Sequence, residues 1–200
     1  MKKSQLLTTL ALVAIVAATG CKTKVKRVGV DEAIDLSGRW NDTDSQLVSA
    51  EMVGDLSGRP WIEEYTAKNA QKPVVIVGTV RNKSSEHIET ETFTKDLERE
   101  LINSGRVKFV ANPIERGELR QERKEQQTWS REETQKRLAA ETGADYMLQG
   151  GIKTVIDQEG KESVKFYQVD LEMIHLETNE KVWIGSKKIK KLVKKARVKW

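Results

Sequence analysis

The chain of 200 residues holds one cysteine, Cys21, and two histidines, His87 and His175. A single cysteine excludes an intrachain disulfide and, once its thiol is used, leaves none for a metal or a nucleophile. The histidines fall in different elements, and no cluster of His, Asp or Glu has the spacing of metal ligands. Gly150-Gly151 follows strand-like sequence but no helix follows it, so it lacks the context of a phosphate-binding loop. Close backbone packing or a bulge accounts for it better. No apolar run reaches the roughly 20 residues that span a bilayer comfortably, and there is no internal repeat. Catalysis therefore finds no support, no cofactor is implied, and the chain reads as non-enzymatic.

What is present begins at the N-terminus. Lys2 and Lys3 precede an apolar run from Leu6 to Ala18, broken only by Thr8 and Thr9. Those flanks and that length describe a signal peptide over residues 1–20. Ala18, Thr19 and Gly20 lead directly into Cys21, a junction that resembles the lipobox of bacterial lipoproteins. The resemblance implies cleavage before Cys21 and a lipid on its thiol. Lys22 follows where an Asp would signal inner-membrane retention, so it implies an outer-membrane, periplasm-facing location. Residues 21–36 show no sustained periodicity and read as a flexible tether, about 50 Å at full stretch.

Residues 37–200 read as one α+β domain. Thr43-Asp44-Ser45-Gln46 has the form of a capping box, and Val48, Met52 and Leu56 behind it repeat at helical spacing up to Gly58. Pro60 opens a second short helix bearing Trp61, Ile62 and Tyr65. Pro73 to Val80 is β-branched and apolar on both faces, as expected of a central strand. Phe93, Leu97 and Leu101 make another helical stripe, ended by Gly105, and Val107 to Ala111 is a short strand. Asn112-Pro113-Ile114-Glu115 and Ser130-Arg131-Glu132-Glu133 start two further helices, the first highly charged. Three strands follow, Asp145 to Ile156, Ser163 to Leu176 and Lys181 to about Leu192, joined by hairpin turns. In the middle one Tyr167, Val169, Leu171 and Met173 alternate with Gln168, Asp170 and Glu172, so one face is buried and the other wetter. The sum is four or so helices packed on a mixed or antiparallel sheet of four to five strands.

The net charge is +5, but the C-terminal end is far more basic than that. Lys187, Lys188, Lys190, Lys191, Lys194, Lys195, Arg197 and Lys199 occur there with no acidic residue among them. Anionic lipid headgroups, peptidoglycan carboxylates or an acidic partner could each meet this stretch through screened electrostatics. A solvated end that protects the sheet edge is the plainer alternative. Nucleic acid is set aside because the chain is read as exported.

Several segments, in order, resemble the LpoB-type penicillin-binding-protein activators. They are Asp35-Leu36-Ser37-Gly38-Arg39-Trp40-Asn41-Asp42-Thr43-Asp44, Val80-Arg81-Asn82-Lys83-Ser84 and Leu101-Ile102-Asn103-Ser104-Gly105. Gly143-Ala144-Asp145-Tyr146-Met147-Leu148-Gln149-Gly150 and Thr178-Asn179-Glu180-Lys181-Val182-Trp183-Ile184-Gly185 complete the set. The resemblance implies an outer-membrane lipoprotein that binds a bifunctional, class A penicillin-binding protein and stimulates peptidoglycan synthesis without chemistry of its own. Gln149 stands where the resemblance places a contact residue. Gln168 and Asp170 on the wetter strand face, with Lys187 and Lys188 at the basic end, complete the candidate contact set. An envelope scaffold that holds another outer-membrane complex, or the peptidoglycan itself, is the alternative.

Overall fold

The computed structural model describes residues 26–29, 32–111, 115–122 and 143–194. Contacts divide the chain into Met1–Glu32 and Ala33–Trp200. The described residues of the first unit carry no helix or strand. The second unit is an α+β domain with a five-stranded mixed sheet.

Helix α1 runs Asp42–Ser57. Its cap is Asn41 rather than Thr43, and the capping box joins Asn41 to Asp44. Asn41 Oδ1 accepts the Asp44 N–H, and Asp44 Oδ2 accepts the Asn41 N–H, each at 3.0 Å. The same Asp44 carboxylate also meets Lys191 Nζ at 2.6 Å. That cation comes from the far end of the sequence. Val48, Met52 and Leu56 are buried as their spacing requires, and Gly58 caps the C-terminus. Pro60 precedes α2, Trp61–Asn69, which buries Trp61 and Ile62. Helix α3, Thr90–Asn103, buries Phe93, Leu97 and Leu101, with Gly105 just beyond its end at φ +63°.

The strands are β1 (Val74–Asn82), β2 (Lys108–Phe109), β3 (Tyr146–Glu159), β4 (Glu162–His175) and β5 (Lys181–Lys194), in sheet order β2-β1-β3-β4-β5. The first three are mutually parallel, and β3-β4-β5 is an antiparallel meander. Val74 to Val77 are all buried, so β1 is covered on both faces as expected. β2 keeps only two residues of the strand expected over Val107 to Ala111. Residues 115–122 are helical, while the helix expected from Ser130 lies outside the described residues.

One sheet face packs on α1, α2 and α3. Its core joins Val48, Met52, Leu56, Phe93 and Leu97 to Leu148, Ile152, Tyr167, Val169, Leu171 and Met173. Each of these large side chains, taken out of water, contributes about 1.5–3 kcal/mol. Trp40 joins the core edge-on to Phe93 and Tyr167, at 5.9 and 5.7 Å between ring centres. At Gly150 the backbone of β4 leaves no room for a side chain: a Cβ there would lie 2.0 Å from the Asp170 carbonyl oxygen. Close backbone packing is thus what this glycine is for.

Candidate partner-binding face

Alternation along each strand sends the intervening side chains to the opposite face, which is open beyond β1 among the described residues. The register sets Gln149 beside Glu172, Gly151 beside Asp170, and Lys153 beside Gln168. Across the next ladder Ser186 lies beside Asp170, and Lys188 beside Gln168. Four of the five candidate contact residues, Gln149, Gln168, Asp170 and Lys188, therefore share this face. Lys187 does not. It pairs in register with buried Val169 and forms an ion pair with Glu51 of α1, so it belongs to the helix-covered side. Cys21 lies outside the described residues.

Asp170 organises the face. Its carboxylate accepts from Gln168 Nε2 at 2.8 Å, Ser186 Oγ at 2.8 Å and Lys153 Nζ at 3.1 Å. Partial burial pushes this carboxyl up, but the three donors outweigh it and hold the group below the usual aspartate range. Glu172 sits one pleat away. Lys181 at 2.6 Å and Gln149 Nε2 at 3.0 Å hold its carboxyl below the usual glutamate range. Both acids stay ionised near neutrality, each facing its cation.

Beside them the surface sinks into a groove of about 730 Å³. Ile76, Met147 and Ile184 give it apolar contact area, and Arg81, Lys83, Lys153, Arg116, Glu98, Asp170 and Glu172 give it charge of both signs. Gly151 keeps β3 low there, because a Cβ would meet the Arg81 carbonyl oxygen at 2.9 Å. Arg116 reaches the groove from the helical residues 115–122, whose Glu115 is held 2.6 Å from Lys95 of α3. Apolar area beside charge of both signs is a pattern that a surface of complementary charge and shape can match.

The strand pattern already placed Gln168, Asp170 and Glu172 on one face. It could not supply Arg81, Met147, Arg116 or Ile184, which reach the groove only through the β1–β3 and β4–β5 registers and the helix at 115–122. His175 stacks edge-on with Tyr146 at 4.9 Å, and its Nδ1 lies 3.1 Å from Thr178 Oγ1 in the hairpin turn, a structural position.

The architecture is that of an α+β domain with α1, α2 and α3 packed on one sheet face and, on the other, a charged groove that the helical residues 115–122 border through Arg116. The family model described as the peptidoglycan-synthase activator LpoB matches residues 44–189, and the chain belongs to that family. No curated protein matches the sequence. Similar solved structures include the NMR structure of Escherichia coli LpoB, at 15% identity over 89% of this chain and 84% of that one, with a TM-score of 0.42. The C-terminal domain of Escherichia coli LpoB is 18% identical over 68% and 98% of the two chains, with a TM-score of 0.36. The lipoprotein GNA1162 of Neisseria meningitidis is 13% identical over 60% and 83%, with a TM-score of 0.37. The family's named role lies in building peptidoglycan, which ties it to the cell envelope. Among the described residues no helix is long and apolar enough to cross a membrane.

Proposed function

We propose that the chain is exported, lipidated at Cys21 and held at the periplasmic side of the outer membrane, where its domain binds and activates a class A penicillin-binding protein. The match to the peptidoglycan-synthase activators over residues 44–189 carries this reading. The open face supports it physically, since Asp170 and Glu172 pre-position Gln149, Gln168 and Lys153 without further ordering. Gln149, Gln168, Asp170 and Lys188 form the proposed contact, with Lys187 to one side. The protein acts by binding, and the glycan chemistry belongs to its partner.

Capture on the mature protein from detergent-solubilised membranes should recover a class A penicillin-binding protein. Adding the mature protein to that purified enzyme should raise its rate of glycan polymerisation, and an Asp170→Lys/Gln149→Glu variant should not. Repeated recovery of no such enzyme, together with an unchanged polymerisation rate, would sink the proposal. Mass spectrometry of the N-terminal peptide should show acyl chains on Cys21, and Cys21→Ser should move the protein from the membrane to the soluble fraction.

The second reading, an envelope scaffold, draws on the tether. From Cys21 to Ala33, where the folded unit begins, the chain spans at most about 40 Å. That keeps the domain close to its membrane and favours a partner there. Sedimentation with purified peptidoglycan separates the readings, since a scaffold that grips the wall pellets with it and an activator alone does not.

A further inference from the structure

The far end of the open face differs from the groove. On its rows Val155 opposes Phe166 and Val164 opposes Leu192, making one apolar quartet across three strands. Val155 is 64% exposed and Leu192 61%. Lys190 lies directly beside Phe166 and Lys188 beside Gln168, and among the described residues neither forms an ion pair. The acids nearby are Asp157, Glu159 and Glu162 toward the hairpin tip, Glu162 being met by Lys194 at 3.1 Å, and Asp170 on the groove side, held by Lys153, Gln168 and Ser186. Basic sequence continues through Lys195, Arg197 and Lys199. Apolar side chains rimmed by unpaired ammonium groups are the composition of a surface that meets a charged interface with a greasy interior.

The path of the chain into the domain points the same way. Residues 35–39 are fastened to this far end of the sheet. Lys191 Nζ reaches Asp35 Oδ1 at 2.7 Å and the Arg39 carbonyl at 3.2 Å, and the Tyr167 hydroxyl, whose proton goes mainly to Glu86 at 2.6 Å, lies 3.2 Å from the Gly38 carbonyl. Gly38 lies so close to Val193 that a Cβ would sit 2.2 Å from its Cγ2. A tether from Cys21 to Asp35 reaches at most about 45 Å, comparable to the length of the 14-residue strands at about 3.3 Å per residue. A tether this short keeps the domain within reach of the membrane that holds its anchor.

We propose that the Val155–Phe166–Val164–Leu192 quartet, with Lys188 and Lys190, rests on an anionic phospholipid surface as a second, reversible membrane contact. This rests on the reading of Cys21 as the lipid anchor. A tethered domain meets its own membrane at high effective concentration, so a contact weak in isolation is occupied once anchored. Because the quartet and the groove share one sheet face and Lys188 belongs to both contacts, membrane docking and partner binding compete for that lysine.

The test uses residues 22–200 without lipid, since every residue of the core lies within Ala33–Trp200. It should sediment with vesicles containing phosphatidylglycerol, not with pure phosphatidylcholine, and high salt should release it. Lys188→Glu/Lys190→Glu should weaken that binding by about tenfold or more, since each basic residue near an anionic surface counts for roughly one kcal/mol. Val155→Ser/Leu192→Ser should weaken it at unchanged thermal stability. Equal binding to both vesicles, or binding indifferent to the lysine reversal, would overturn the proposal. Loss of peptidoglycan sedimentation in the same variants, without vesicle binding, overturns it too and assigns the patch to the wall. An unacylated Cys21 peptide from native membranes refutes the anchor alone and leaves the vesicle result standing.

Discussion

Replacing Gly150 with alanine places a methyl carbon 2.0 Å from the Asp170 carbonyl oxygen and 2.9 Å from the Leu171 Cα. Non-bonded heavy atoms settle near 3.5 Å or beyond, so β3 and β4 must part by about an ångström or more. A ladder hydrogen bond stretched that far is lost. Two such bonds at about 1 kcal/mol each, with overpacking strain of about 1–3 kcal/mol, give a loss of about 3–5 kcal/mol. For a domain of this size that lowers Tm by roughly 10 °C or more. Gly54 supplies the control. It is exposed within α1, a Cβ there meets nothing within 4 Å, and Gly54→Ala should stabilise by about 0.5–1 kcal/mol. Urea and thermal melts followed by circular dichroism read both variants. A Gly150→Ala protein within about 1 kcal/mol of the parent would refute the claim that the sheet is closed over that position.

Lys191→Met leaves the Asp44 carboxylate buried without its cation and should cost about 3–5 kcal/mol in a urea melt. Burial pulls the Lys191 ammonium down, but Asp35 and Asp44 outweigh it and raise its pKa above 10.5. The folded state therefore holds this proton more tightly, so the contribution is complete below pH 10.5 and is lost as pH rises through the folded value. Glu86 works in the opposite sense. Burial pushes its carboxyl up, yet Lys165 at 2.7 Å and the Tyr167 hydroxyl at 2.6 Å bring it below 4.5. Its stabilisation is present above pH 4.5 and disappears as pH falls through the folded value, and Glu86→Gln should flatten that part of the acid-stability curve. Trp183→Phe removes the indole N–H that donates to Asp55 Oδ2 at 2.8 Å, and should cost about 1–3 kcal/mol by chemical denaturation.

Residues whose role is local were legible in the sequence. Val48, Met52 and Leu56 declared α1, Phe93, Leu97 and Leu101 declared α3, and the alternation of Tyr167, Val169, Leu171 and Met173 declared the buried face of β4. Each repeats at the period of its element, and burial follows from that period. The N-terminal cap lies two residues earlier than expected because Asn41 and Asp44 bond reciprocally, at the same three-residue spacing as the Thr43–Gln46 pair read from the sequence. The parallel pairing of β1 with β3 and the sheet order were not local, since parallel pairing leaves no turn signature. For the candidate face, alternation grouped Gln168 with Asp170, and adjacency in sequence grouped Lys187 with Lys188. The pleat then sent Lys187 to α1 and left Lys188 with the others.

The fastening of residues 35–44 to β5 also fixes how the domain carries load. If the proposed anchor at Cys21 and the proposed partner contact both hold, the domain is under tension whenever membrane and partner move apart. Tension on Ala33 arrives first at Asp35, Gly38 and Arg39, which Lys191 and Tyr167 hold against the sheet. Lys191 also grips Asp44 at the start of α1, so the pull is shared between a helix cap and a 14-residue strand. Strain therefore enters across several bonds at once rather than unpicking α1 one turn at a time. Weakening that junction through Lys191→Met should lower the force at which the domain yields more than it lowers the stability of the undisturbed fold.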